Sequence, residues 1–262
     1  MSVVKSKIIL LGNKVLNSLM QGVRKVLYGR QFNMDKDSYI RQNQRKNFEY
    51  VKEFEYPRYT DRYQEAGCLG AYFWQDLWAA RHLYEDKPDV HYDIGSRIDG
   101  FIGHICCFIK KVVLIDVRPL DKEIPNVTYI CMDATKLEKF KDESIDSISS
   151  LCALEHFGLG RYGDTINPEG CFEAFISIQR VLKPGARAYI AVPIGKEHLE
   201  FNAHRIFYAQ TIIDCFSDMK LLEFSAVHNL EDHIEYNIDV HKYDQEDDNA
   251  GMRFGLFAFE KK

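Results

Sequence analysis

Apolar residues near the start of the chain recur three and four apart, at 8, 11, 15, 19 and 26 and again at 9, 16, 20, 23 and 27. Lys7, Lys14, Ser18, Gln21 and Lys25 share another face. The spacing predicts an amphipathic basic helix from Lys5 to about Leu27. Residues 30–66 are polar and tyrosine-rich, with Tyr56-Pro57 interrupting any period, and read as an irregular or partly helical connector. A helical pattern returns over 69–85 with Leu69, Phe73, Leu77 and Ala80 on one face, until Lys87-Pro88-Asp89 stops it.

Beyond residue 88 the period changes. Short β-branched runs at Val90–Ile94, Lys111–Asp116, Val127–Met132, Ser144–Leu151, Ala186–Val192, Lys220–Val227 and Phe254–Phe259 alternate with helical stretches near 98–109, 168–182 and 207–216. Such alternation predicts a parallel sheet covered by helices on both faces. The segment 168–182 carries the fullest helix signature: Asn167 as cap, Pro168 in the first turn, Arg180 and Lys183 at the far end, Pro184-Gly185 as the stop, and a buried stripe of Cys171, Phe175, Ile178 and Leu182. No linker or repeat divides 88–262, so that stretch is expected to form one α/β unit, with residues 1–87 as a helical extension.

Composition narrows the class. With 262 residues and 46% hydrophobic content the chain can build one large core. The formal net charge of −5 gives no global reason to expect nucleic acid. The charge is unevenly spread, however: residues 1–30 hold Lys5, Lys7, Lys14, Arg24, Lys25 and Arg30 without an acid, while eight acids between 231 and 248 face only Lys242. The basic helix therefore has two readings, packing on the domain or on a second copy of the chain as a homodimer, and peripheral contact with an anionic membrane surface. Seven scattered cysteines without a C-x-x-C pair suggest a reduced, cytoplasmic chain rather than a zinc site or disulfide framework. No run approaches the ~20 apolar residues of a membrane span.

In an open parallel sheet, ligands bind beyond the carboxyl ends of the strands. The first strand leads into Asp93-Ile94-Gly95-Ser96-Arg97-Ile98-Asp99-Gly100, and the second ends in Asp116, an acid spaced to accept hydrogen bonds from ribose hydroxyls. A dinucleotide site needs a second glycine where Arg97 stands, which disfavours an NAD-dependent oxidoreductase. These segments, with Met132-Asp133-Ala134-Thr135, Leu151-Cys152-Ala153-Leu154-Glu155-His156-Phe157 and Val181-Leu182-Lys183-Pro184-Gly185-Ala186, resemble a class I S-adenosylmethionine-dependent methyltransferase over about residues 88–260. More narrowly, Asp93 to Phe101, Glu155 to Asp164 and Phe201 to Arg205 are similar to an uncharacterised methyltransferase-like family of bacterial surface-polysaccharide gene clusters.

The resemblance implies a Rossmann-like α/β sheet, mostly parallel, seven-stranded, with the last strand antiparallel. It implies S-adenosyl-L-methionine as cofactor. Asp93, Gly95, Ser96 and Arg97 would border the methionine moiety, Asp116 would hold the ribose, Met132 and Asp133 would contact adenine, and Cys152 and Ala153 would line the floor. Of the glycines in the first motif only Gly95 keeps its place; Arg97 could pair with the cofactor carboxylate or fill the pocket, which keeps a catalytically degenerate binding or scaffold protein as the alternative. Methyl transfer needs an aligned acceptor and a base, so His156, just beyond the fourth strand, and His204 are the catalytic candidates. The glycine-rich loop 158–164 reads as a mobile flap carrying Arg161 and Asp164. Together with Glu155, His198, Asn202 and Arg205 these are the candidate contacts to a polyhydroxylated or anionic acceptor, here a sugar or sugar-phosphate oxygen. The spacing of His198, Glu200 and His204 fits no tight zinc pattern, and no metal is expected.

Overall fold

The computed structural model describes residues 2–67, 69–230, 233–246 and 251–262, with side chains from Met20 onward except Gln21. Side chains of the basic helix before Met20, and the acids Glu231, Asp232, Asp247 and Asp248, lie outside the described residues. Two compact units emerge, Met1–Cys68 and Leu69–Lys262.

In the first unit, helix α1 runs Ser2–Gln42, well past the expected end near Leu27. Three single turns of 3₁₀ helix follow, at Lys46–Phe48, Lys52–Phe54 and Asp61–Tyr63. This return segment is laid along the helix by Lys36–Glu55 at 3.1 Å, Arg62–Asp35 at 2.6 Å and the ring pairs Tyr28–Tyr63 and Phe32–Tyr59. Those partners are distant in sequence, so periodicity alone could not extend the helix through 30–42.

The second unit is built on one sheet: β1 (Val90–Ile94), β2 (Lys111–Asp116), β3 (Val127–Cys131), β4 (Ile145–Leu151), β5 (Leu182–Ile194), β8 (Met219–His228), β9 (Ile234–Glu235) and β10 (Arg253–Lys261). Their order is β3-β2-β1-β4-β5-β10-β8-β9. Strands β1 to β5 pair parallel, and β10 runs antiparallel between β5 and β8. This is the expected sheet with β9 added. A separate hairpin, β6 (His198–Glu200) with β7 (His204–Ile206), was not legible because three-residue strands show no period.

The two faces of the sheet carry separate cores. On one, Phe175, Ile178, Ile212 and Phe216 of α4 (Gly170–Val181), α5 (Ala209–Cys215) and its end pack over Ile148, Ile190 and Phe257. On the other, Trp78 and Leu83 of α2 (Ala71–Asp86) join Phe101, Ile105 of α3 (Gly103–Ile105), Leu114 and Leu256. Each such side chain withdrawn from water contributes about 1.5–3 kcal/mol. The anticipated stripe of Cys171, Phe175, Ile178 and Leu182 is fully buried, Leu182 as the first residue of β5; Asn167 Oδ1 accepts the Glu169 N–H at 3.1 Å in the turn before α4, whose cap position is Glu169 rather than Asn167 and makes no side-chain cap bond.

Three expectations need correction. Helix α2 belongs to the compact α/β unit rather than to an extension ending at residue 87: Glu223 of β8 accepts from Trp78 Nε1 at 2.9 Å and faces His82 at 3.3 Å. Its buried face holds Ala71, Gln75, Asp76, Trp78, Ala79, Ala80 and Leu83; of the expected face Ala80 is buried, whereas Leu69 and Phe73 are exposed, because the sheet meets the helix along the Trp78 side. And 98–109 is not one helix. It is a π turn over Ile98–Ile102 and the short α3, broken at Gly100, whose backbone (φ −124°, ψ −105°) leaves room for Asp76; a β-carbon there would fall 2.3 Å from Asp76 Oδ2.

Candidate functional site

Strand β1 lies between β2 and β4, and the chain leaves it in opposite directions, so a crevice opens at its carboxyl end. A buried polar chain fixes that end. Asp93 Oδ2 accepts hydrogen bonds from Ser149 Oγ at 2.6 Å and Ser96 Oγ at 2.7 Å, and Oδ1 accepts the Ser96 N–H at 3.0 Å. Ser149 Oγ and Ser147 Oγ each lie 2.8 Å from a ring nitrogen of fully buried His91. Burial pushes Asp93 up to about 6 against the opposing serine bonds, and pushes His91 down to about 3, so His91 is neutral at pH 7. Gly95 then turns with φ 72°, where a β-carbon would meet Ala153 Cβ at 2.8 Å, so only glycine fits between the two strand ends.

From Gly95 a cavity of about 530 Å³ extends along the carboxyl edge over β2 and β3 and under the loop that follows β4. Its floor is Gly95, Cys152 and Ala153, and its far end Met132, Asp133 and Lys136. Asp116 projects between them and is gripped by Arg118: Nε and the backbone N–H of Arg118 donate to Oδ1 at 2.9 and 2.8 Å, and Nη2 donates to Oδ2 at 2.5 Å. The Arg118 guanidinium also lies 4.7 Å from the centre of the Tyr162 ring, across the cavity mouth. Asp133 Oδ1 accepts the Thr135 N–H at 2.8 Å.

The wall facing β4 is a buried acid–imidazole pair. His156 Nδ1 lies 2.6 Å from Ala203 O, which requires the proton on Nδ1 and leaves the lone pair on Nε2. Nε2 is 3.3 Å from Glu155 Oε1, while Glu155 Oε2 is buried without a hydrogen-bond partner among the described residues. Burial pushes Glu155 up to about 8 and His156 down to about 4, so at neutral pH the contact is a carboxyl facing an imidazole, not an ion pair. Arg161 donates to the same Ala203 O at 3.1 Å and covers the Tyr162 ring from 5.1 Å. His204 stands behind His156 with ring centres 6.2 Å apart, and its Nε2 is 3.1 Å from Glu200.

The glycine-rich loop is folded tightly rather than arranged as a free flap. Asp164 Oδ2 accepts the N–H groups of Gly158 and Gly160 at 2.8 and 3.2 Å, and Oδ1 that of Tyr162 at 3.2 Å. A β-carbon on Gly158 would sit 1.8 Å from Asn167 O. Arg205 ties the loop's ends together, donating to the carbonyls of Glu155, Phe157 and Pro168 at 3.3, 2.7 and 3.0 Å.

A family model described as "Caenorhabditis protein of unknown function, DUF268" matches residues 116–254, more than half of the chain. The chain belongs to this family. No curated protein matches the DUF268 chain in sequence. Its fold is similar to that of Burkholderia thailandensis 1,6-didemethyltoxoflavin-N1-methyltransferase, solved with bound 1,6-didemethyltoxoflavin and S-adenosylhomocysteine: TM-score 0.53, 14% identity, 72% of this chain and 78% of that one. The [4+2]-cyclase SpnF gives a TM-score of 0.52 at 14% identity, over 71% and 79% of the two chains. At that identity the likeness shows the fold, the class I methyltransferase α/β sheet, and nothing finer.

In the DUF268 chain the residues named from sequence separate into three groups. Gly95, Asp116, Met132, Asp133, Cys152, Ala153, His156 and Asp164 line the cavity. Asp93 and Ser96 lie beneath its floor, and Glu155, Arg161 and His204 stand behind the His156 wall. Arg97, His198, Asn202 and Arg205 do not line it. Arg97 neither fills the pocket nor reaches into it; it points outward, paired with Asp99 at 2.8 Å and 5.7 Å from the Tyr72 ring. His198 and Asn202 bond backbone carbonyls of Lys196 and Leu159. Sequence reasoning missed Arg118, although it follows Asp116 by two residues. It missed Lys136, Glu138 and Lys139 after β3, which neighbouring strands β2 and β3 make accessible. It also missed Gln75 and Asp76 of α2: Gln75 Oε1 accepts from Cys152 Sγ at 2.8 Å, and no spacing links positions so far apart.

Proposed function

We propose that the chain is an S-adenosylmethionine-dependent methyltransferase whose acceptor is a hydroxyl of a sugar or sugar-phosphate, within surface-polysaccharide assembly. The observation that carries the reading is the continuous cavity from Gly95 past Asp116 to Asp133 at the switch point of a class I methyltransferase sheet. Its size lies in the ~300–1,000 Å³ range of small-molecule sites. The residues fit the cofactor: Gly95 and Ala153 leave bare backbone at the floor, Asp116 supplies a carboxylate for a diol, and Asp133 Oδ2 remains available at the far end. The bound cofactor would supply a methyl group on a sulfonium. Asp116 would hold the ribose and Asp133 the base. Tyr162 and the Asp164-pinned loop would exclude water. His156, its ring oriented by Ala203 O, would take the acceptor's proton on Nε2. The sugar acceptor is favoured by the resemblance and by the polar groups Thr165 and Asn167 on the cavity wall.

A second reading, a methyltransferase-fold binding protein without catalysis, is favoured by one observation: Arg118 already grips Asp116. Titration with S-adenosylhomocysteine by calorimetry separates the two. Micromolar binding abolished by Asp116→Ala supports the enzyme, and no binding at millimolar ligand overturns it. For the N-terminal unit, exposed Met20, Val23 and Leu27 beside Arg24, Lys25 and Arg30 support peripheral attachment to an anionic membrane surface, checked by co-sedimentation with phosphatidylserine vesicles.

A further inference from the structure

A carboxylate offers about four acceptor positions. On Asp116 three are taken, all by one residue: Oδ1 accepts the backbone N–H and Nε–H of Arg118, and Oδ2 accepts Nη2–H. One position is left on a carboxylate that the proposed function needs for two adjacent ribose hydroxyls. The backbone bond belongs to the turn after β2 and can persist. One of the two guanidinium bonds therefore has to open, and because Nε and Nη2 form a rigid two-pronged fork, opening one misaligns the other. The displaced guanidinium has a place to remain. It lies on the Tyr162 ring, whose centre is 5.4 Å from that of the His156 ring in an edge-to-face arrangement, and the Tyr129 hydroxyl holds the Arg118 carbonyl in position.

We propose that Arg118 is a specificity-determining residue of this site, an internal ligand of Asp116 that a vicinal diol must displace. The inference rests on the methyltransferase reading and sharpens it. A ribonucleoside exchanges the Arg118 fork for its own two hydroxyl bonds, so its second hydroxyl adds little net affinity. A 2′-deoxyribonucleoside uses the single free position and leaves the fork closed. The wild-type protein thus discriminates weakly between them, and removal of the fork exposes the full preference of Asp116 for the diol.

The test is calorimetric titration of the full chain with 5′-methylthioadenosine, its 2′-deoxy counterpart and S-adenosylhomocysteine, in wild type, Arg118→Leu and Arg118→Lys. Arg118→Leu is expected to bind the two diol ligands roughly three- to tenfold more tightly, the range of a partly exposed ion pair that no longer has to open, with the 2′-deoxy ligand unchanged. Arg118→Lys keeps the charge without the fork and should fall between. Tyr162→Ala, which leaves the Asp116–Arg118 pair intact, should show no diol-specific gain. Weaker or unchanged diol binding in both Arg118 variants, or a gain shared equally by the 2′-deoxy ligand, overturns the inference while wild-type binding of S-adenosylhomocysteine keeps the methyltransferase reading. Absence of binding in every variant overturns that reading and this one with it. Unchanged circular dichroism and melting temperature confirm that each variant is folded.

Discussion

Replacing Ser149 by alanine removes the centre of the polar chain beneath Gly95. The direction of each bond follows from the others. Asp93 can only accept, so the hydroxyl protons of Ser149 and Ser96 point to it, and Ser96 Oγ in turn accepts the Leu151 N–H at 3.2 Å. Ser149 Oγ must then accept from His91, which places the proton of the neutral imidazole on Nε2 and leaves Nδ1 to accept from Ser147. Ser149→Ala strands a buried N–H donor, costing about 1–3 kcal/mol, and deletes a hydrogen bond to a carboxylate, about 1.5–3 kcal/mol. A total near 4 kcal/mol is expected. Ser147→Ala removes one neutral bond and should cost about 1–2 kcal/mol. Urea unfolding followed by circular dichroism measures both. Asp93 also loses a donor that holds its pKa down, so the Ser149→Ala deficit should widen from pH 5 to pH 8, as the buried carboxylate ionises with one partner fewer. A Ser147→Ala variant as damaged as Ser149→Ala, or a Ser149→Ala cost below about 1 kcal/mol, would refute the assigned bond directions.

Three further outcomes follow from the same structure. Glu155, pushed up to about 8 from 4.5 by burial, is penalised in its charged form: the penalty is absent below about pH 4.5 and complete above pH 8. Thermal melting from pH 5 to 9 should therefore show Glu155→Gln gaining on wild type as pH rises, and parallel curves would contradict this. Burial opposes ionisation of Glu223, but hydrogen bonds from His82, Ser225 and Trp78 outweigh it and bring the group down to about 2. Its contribution is present above about pH 4.5 and lost on acidification toward 2, so Glu223→Gln should flatten the acid limb of the stability profile. Gly158→Ala, with φ 76° and Asn167 O in the way, forces the cavity loop open; the melting temperature should fall by several degrees and S-adenosylhomocysteine binding by at least about tenfold in calorimetry.

Periodicity and chain order were enough to read the class of fold and the sheet edge along which the cavity opens. β2 was readable to the residue because Val112–Ile115, covered on both faces, forms an uninterrupted apolar run ending in an acid, and α4 because dipole charges and stripe agree. Chain order fixed the crevice, since the residue leaving each parallel strand must emerge at the same edge; hence Gly95, Asp116, Asp133 and Ala153 were found together. What those residues touch was not readable in this way. Arg118 and Tyr162, or Asp76 and Gly100, are brought together by separate elements, and no period records such pairs. The loop 158–164 looked mobile because its glycines were visible and its restraints were not: Asp164 accepts three backbone N–H groups there, and Arg205 reaches it from a hairpin too short to leave a pattern. Local spacing encodes which face a residue occupies, while the use of each lone pair and proton is settled by contacts between segments distant in the chain.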